Sequence, residues 1–250
     1  MSCGRVLRSA ALAALILAGG ICGGFFSLSI EKAAATDDRS EERMRMVESQ
    51  IAARGVIDPR VLDAMREVPR HRFVPAEWQH AAYEDTPLPI GEGQTISQPL
   101  IVAEMTELAR LKPGDRVFEL GTGSGYQAAV ASRLAERVYT MEIHPALAER
   151  AQSTLAALGY DRVTVSAGDG YFGWPEQGPF DVIFVTAAAT HIPPPLVQQL
   201  KTGGRMIVPV GPVFSVQRLM LVEKSPAGVV TTRALFPVRF VPVLGGHGGG

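Results

Sequence analysis

Hydrophobic and polar positions along the chain fall into three regimes. Ser9 to Ile30 is apolar and carries no charge. From Glu41 to about residue 111 the spacing is helical, broken by one irregular stretch. From 116 to 243 short apolar runs alternate with helical patterns.

The helical regime opens at Glu41, where Met44, Val47 and Ile51 share a face, and Gly55 ends the helix. Asp58-Pro59 restarts one, with Asp58 as N-cap and proline in the first turn; Val61, Leu62 and Met65 form its apolar stripe, and Pro69 stops it. Residues 69–96 are rich in Pro and Gly with little periodicity. Interleaved aromatic and aliphatic residues predict an ordered, irregular segment packed over a site. A helix follows from Pro99 to Leu111, capped by Ser97 or Gln98, with Ile101, Met105 and Leu108 inward.

After the Lys112–Asp115 turn, strands are predicted at 116–120, 137–142, 162–166, 180–185 and 204–210. Helices at 125–135, 145–158 and 194–201 alternate with them. That order implies an α/β fold: a Rossmann-like, doubly wound parallel sheet with helices on both faces, preceded by N-terminal helices. Runs at 216–223 and 229–236 flank Ser225-Pro226-Ala227-Gly228 and predict a C-terminal antiparallel hairpin, with an extended piece at 237–243.

Composition sets the boundaries. Arg5 and Arg8, the uncharged run and Ala33-Ala34-Ala35 have the order of a secretory signal, and the run is also long enough for an uncleaved anchor. We therefore expect a leader at 1–35, a globular domain at 36–243 and a flexible Gly-rich tail at 244–250. The expected location is exported, periplasmic or membrane-tethered, with membrane contact only through the leader. The alternative is a cytoplasmic protein with a start assigned too far upstream. Both cysteines, Cys3 and Cys22, lie in the leader, which leaves no thiol chemistry for the domain. The five histidines lack metal-ligand spacing, so no metal is expected. A net charge of -1 with no basic block disfavours nucleic acid. A monomer is expected.

The candidate chemistry sits at Val117–Tyr126, where a strand ends in Glu119 and runs into Gly121-Thr122-Gly123-Ser124-Gly125. Ligands bind at such strand-to-helix crevices in open α/β sheets. Dinucleotides want G-x-G-x-x-G, and Tyr126 stands at the third glycine position. A turn of this spacing better suits a cofactor without phosphates. Glu142 ends the next strand, where a carboxylate can accept from a ribose diol, and Asp169 follows the third strand, where one can accept from an adenine amino group. Taken singly, Glu142 also reads as a helix cap and Asp169 as a turn residue.

With those acids, the chain resembles S-adenosylmethionine-dependent methyltransferases. It is similar, more narrowly, to the protein-L-isoaspartate O-methyltransferase family. Leu88–Gly91, Gly93–Pro99, Phe118–Tyr126, Gly168–Gly170, Phe180–Ala188, Gly203–Met206, Pro209–Gly211 and Val238–Pro242 carry the likeness, over about 43–243. Gln94–Pro99 is its most family-specific part. The resemblance implies methyl transfer from S-adenosylmethionine to the free carboxylate of L-isoaspartyl, and also D-aspartyl, residues of damaged proteins and peptides. The ester then closes to a succinimide that reopens partly to aspartate. It implies Ser97 at the catalytic centre, with Thr95, Ile96 and Gln98 walling the cofactor side. Glu119, Gly121, Thr122, Gly123, Glu142, Asp169 and Gly170 would carry the cofactor. A small-molecule methyltransferase and a non-catalytic peptide-binding module on the same fold stay open as rivals.

Overall fold

The computed structural model describes residues 39–245. The leader and the last five residues of the glycine tail lie outside the described residues. Among the described residues, no helix is long and apolar enough to cross a membrane.

Helix α1 (Ser40–Met46) widens into a π turn at Val47–Ile51 and tightens to 3-10 at Ala52–Arg54 before left-handed Gly55 stops it. Its inward face is Arg43, Met46, Val47 and Ile51. Met44, expected inward, is 47% exposed. The buried face follows Arg43, whose guanidinium donates to the carbonyl of Arg66 and to the Tyr83 hydroxyl, and that rotation turns Met44 outward. Helix α2 (Pro59–Glu67) starts as predicted: the Asp58 carboxylate accepts from the Arg60 amide at 2.9 Å.

The stretch expected to be irregular has more regular structure than its periodicity shows. It forms 3-10 turns at Arg70–Phe73 and Ala76–Ala81, then an antiparallel pair, β1 (Leu88–Gly91) and β2 (Gln94–Ile96). Glu92 and Gly93 close that hairpin with positive φ at both positions, 52° and 70°, as two-residue hairpins favour. Glu-Gly is a weaker written signal than Asn-Gly, and the strands are short. Fully buried Arg70 pins the segment: Nε donates to the Ala82 carbonyl at 2.8 Å and the guanidinium lies 5.0 Å over the Tyr126 ring. Burial lowers its pKa to about 10.

Helix α3 (Pro99–Ala109) begins at N-cap Gln98, with no side-chain capping bond. The expected cap by Ser97 or Gln98 is therefore not made, and proline at the first position removes one of the amides a cap would satisfy. Strand β3 (Arg116–Leu120), α4 (Tyr126–Ser132), β4 (Arg137–Glu142), α5 (Pro145–Ala157), β5 (Val163–Ala167) and β6 (Phe180–Val185) follow the predicted alternation. Then come α6 (Pro194–Gln199), β7 (Leu200–Val210), β8 (Gln217–Lys224) and β9 (Val230–Val238). Helix α4 stops three residues earlier than expected. Strand β7 begins at Leu200, inside the predicted helix, because Leu200 pairs with Phe180.

The seven-stranded sheet has the order β5-β4-β3-β6-β7-β8-β9. Strands β5 to β7 are parallel, and β8 and β9 add antiparallel. Alternation along each strand sorts the core onto two faces. Val117, Val138, Val182 and Ile207 pack with Met105 of α3 and Ala128 of α4. Phe118, Tyr139, Ile183 and Met206 pack on the other face with Leu196 of α6. The connections from β3 run one way to β4 and β5, then back to β6 and β7. That reversal, beside β3 and β6, marks where a ligand crevice opens.

At the β6–β7 bulge, a methyl group on Gly204 would lie 2.8 Å from the carbonyl oxygens of both Asp181 and Lys201. Neither backbone atom can yield cheaply. Gly204→Ala is expected to cost about 1–3 kcal/mol of stability, read as a lower urea midpoint with an unchanged slope.

Candidate active site

The glycine turn is held from both neighbouring strands. The Gly121 amide donates to the Met141 carbonyl at 2.8 Å, and the Gly125 amide closes the turn on Thr122 at 2.7 Å. From β6, the Thr186 hydroxyl lies 2.8 Å from the Leu120 carbonyl and 2.6 Å from that of Gly121, sharing its proton between them. Gly121 has φ +95°, and a Cβ there would stand 2.6 Å from Thr186 Oγ1, so only glycine fits beneath this clamp.

Two carboxylates are buried under the turn. Glu119 is 1% exposed and Glu142 4%. Glu142 is well satisfied: Oε2 accepts from the Gly123 amide at 2.8 Å and Oε1 from the His144 amide at 3.0 Å. It therefore does brace the entry to α5, as a cap reading of its position expects, while its side chain also faces the cleft. Glu119 is satisfied on one side only. Its Oε2 accepts from Thr140 Oγ1 at 2.6 Å, and Thr140 bonds onward to Thr122 at 2.7 Å. Its Oε1 is buried and has no partner among the described residues. Burial, reinforced by the nearby Glu142 charge and opposed by the Thr140 bond, pushes the Glu119 carboxyl up to about 8.

One cleft collects most of the residues predicted for the site. Thr95, Ile96, Ser97, Glu119, Gly121, Thr122, Gly123, Glu142 and Gly170 all line it. Gln98 lines a neighbouring groove instead. Asp169 stands outside the lining, and its Oδ1 accepts from the Tyr171 amide at 3.0 Å in the turn reading of that position. Residues given no site role in the sequence complete the walls: Met141, Ile143, Gln127, Thr186 and Val241–Leu244. Thr186 follows directly on the C-terminal end of β6, and that position alone was a usable signal. Leu244, assigned above to the flexible tail, belongs with the domain because it lines the cleft.

The lining contains two carboxylates and, among the described residues, no Lys or Arg. A phosphate-bearing ligand would find no countercharge there, whereas the unpartnered Glu119 oxygen suits a donor or a cation. Leu120, Met141 and Ile143 supply apolar surface beside Glu142, a combination suited to a ring and a ribose diol. The chemistry of this lining fits S-adenosylmethionine, which is cationic and carries a ribose diol.

A sheet of this order with such a cleft at its reversal point is the architecture of S-adenosylmethionine-dependent methyltransferases. A sequence profile of the protein-L-isoaspartate(D-aspartate) O-methyltransferase family matches residues 41–248. Protein-L-isoaspartate O-methyltransferase 1 of Nitrosospira multiformis is 60% identical over 207 residues, covering 82% of this chain and 88% of its own. Protein-L-isoaspartate O-methyltransferase 1 of Cupriavidus necator is 55% identical over 224 residues, covering 86% of each. A solved protein-L-isoaspartate O-methyltransferase superposes with TM-score 0.72 at 33% identity, over 82% of this chain and 66% of that one. A Plasmodium falciparum structure described as this enzyme, in complex with S-adenosyl-L-homocysteine, superposes with TM-score 0.69 at 26% identity, over 81% and 98%. The chain belongs to the protein-L-isoaspartate(D-aspartate) O-methyltransferase family.

Glu119 gives the cofactor-free protein a pH signature. Its folded-state pKa, about 8, is above the ordinary 4.5, so the fold holds a proton the unfolded chain releases. Its stability contribution is full below the unfolded value and is lost as pH rises through about 8. Glu119→Gln should therefore melt higher than the parent above about pH 8, with the gap closing toward about pH 5. Calorimetric melting across that range checks this; a gap independent of pH would show that Glu119 is not the group.

Proposed function

We propose that this chain transfers the methyl group of S-adenosylmethionine to the free carboxylate of L-isoaspartyl residues, and of D-aspartyl residues, in damaged proteins and peptides. It acts as a monomer and so begins their repair. One observation carries the reading: a single cleft joins the glycine turn and its two buried acids to Thr95–Ser97 on the separate β1–β2 hairpin.

When bound, S-adenosylmethionine supplies a methyl group already activated by a positive sulfur. The acceptor carboxylate is ionised near neutral pH, so no general base is required. What remains for the protein is alignment and exclusion of water. Ser97 is half-buried at the cleft wall and makes no side-chain hydrogen bond among the described residues. Its hydroxyl donates to one carboxylate oxygen and holds the other toward the methyl group. The first turn of α3 begins two residues later, and its free N–H groups favour an anion at the same place. Thr95 and Ile96 close the wall beside Ser97, and Val241–Leu244 close the opposite rim. Gln98 turns to the neighbouring groove and serves the peptide side of the site. Asp169 shapes the turn that presents Gly170 to the cofactor.

Two substitutions separate the halves of the site. Ser97→Ala is expected to lower kcat with cofactor affinity nearly unchanged. Glu142→Ala is expected to weaken cofactor binding by about 1–3 kcal/mol, as when donors lose a charged acceptor. Isoaspartyl-peptide methylation and binding calorimetry measure the two effects. Equal loss of both in Ser97→Ala would reduce Ser97 to a structural role.

We read 1–35 as a secretory signal or anchor that places the domain outside the cytoplasm or at a membrane surface, on the strength of Arg5, Arg8, the uncharged run and Ala33–Ala35. N-terminal sequencing from fractionated cells should find either a start near Ala35 in the exported fraction or Met1 in the membrane fraction. Met1 in the soluble cytoplasmic fraction would refute export and tethering together.

A further inference from the structure

A second groove runs beside the cofactor cleft. Thr95, Ser97, Thr186 and Val241 line both, so a molecule lying in the groove reaches Ser97. Gln98 and Ile101 contribute from the start of α3, Val216 from the β7–β8 loop, and Arg239 and Phe240 from the segment after β9. Arg239 is the one charged residue among those lining it. Some arginines of the domain are paired, Arg205 with Glu223 at 2.7 Å and Arg60 with Asp58 at 2.6 Å. Arg239 is exposed and has neither an ion pair nor a hydrogen bond among the described residues.

The rim carrying Arg239 is a built structure. Gln217 is 1% exposed, and its Oε1 accepts from the Phe240 amide at 2.9 Å. Its Nε2 donates to the carbonyls of Ser215 at 2.9 Å and Pro212 at 3.1 Å. One buried amide thus ties the β7–β8 loop to the backbone beside Arg239. On that loop Val213, Phe214 and Val216 are 41%, 90% and 47% exposed, and Val216 lines the groove together with Arg239.

We propose that this groove receives the polypeptide flanking the methyl-accepting residue, and that Arg239 selects acidic side chains in that flank. The inference rests on the peptide-methylating function proposed above and adds a charge preference to it. Continuity with Ser97 identifies the occupant, since the acceptor residue must enter there with its neighbours attached. A neutral groove would accept any flank. A single unpaired cation favours Glu or Asp, disfavours Lys or Arg, and does so through a solvent-exposed pair.

The test uses isoaspartyl peptides identical except for Glu, Gln or Lys in the flank. Both methylation and the binding of fluorescently labelled copies, read by anisotropy, are measured. Affinity should fall from Glu to Gln to Lys by about two- to fivefold per step, the range for exposed pairs, with KM carrying the difference. Raising the salt should compress the series. Arg239→Gln should flatten it and Arg239→Glu should reverse it, with cofactor affinity by calorimetry showing that each variant is folded. A flat series in the parent, or an unchanged series in Arg239→Gln, overturns the proposal. A charge-ordered binding series with no methylation of any peptide would sustain it and sink the functional reading instead.

Discussion

Two carboxylates buried side by side at the ends of neighbouring strands are the constraint on which the rest of the site depends. Glu119 pairs in register with Thr140, so Glu142, two residues further along β4, emerges on the same face of the sheet. Buried charge is costly unless partnered, and no cation stands in this lining. The structure answers with amides for Glu142 and a threonine relay for Glu119, and leaves one Glu119 oxygen without a partner. A cationic, diol-bearing cofactor is the kind of ligand such a lining suits. The glycines, the Thr186 clamp and the Met141 carbonyl that anchors the turn all keep the backbone where these acids can meet it.

The acceptor side is organised on different terms. Among the described residues, its groove lining holds no buried charge and no carboxylate or histidine to act as a base. Its residues come from a short hairpin, a helix start and the last strand, positioned by packing and by single polar anchors such as Arg70 and Gln217. This division fits the chemistry. Methyl transfer to an ionised carboxylate asks the protein for geometry, while retention of a charged cofactor asks for electrostatics.

Much of this was legible in the sequence because it is written locally. Strand and helix periods from 116 to 210 are strong and alternate regularly, and that order fixes a parallel sheet and its ligand crevice. Three acids and a glycine turn at successive strand ends are likewise local marks. The less legible parts depend on partners distant in the chain. Nothing near Met44 says that Arg43 will rotate the helix, because Tyr83 and Arg66 decide it. The hairpin at 88–96 was hidden by its shortness and by a Glu-Gly turn. Gln98 and Asp169 have the residue types of ligand contacts, and their local geometry adds what the residue types do not state: Gln98 lines the neighbouring groove, and Asp169 also holds the Tyr171 amide. Leu244 looked like tail because its role comes from return of the chain to the cleft.

The β1–β2 hairpin forms a sheet of its own, with no ladder to the seven strands. It is held to the body by core packing through Leu88, Ile90 and Ile96, and by Arg150 of α5 donating to the Ile90 carbonyl. The cleft, with Thr95 and Ile96 on one side and the glycine turn with its acids on the other, thus spans a seam between two separately hydrogen-bonded units. A lineage, or an engineer, can rewrite the hairpin while leaving the buried acids untouched.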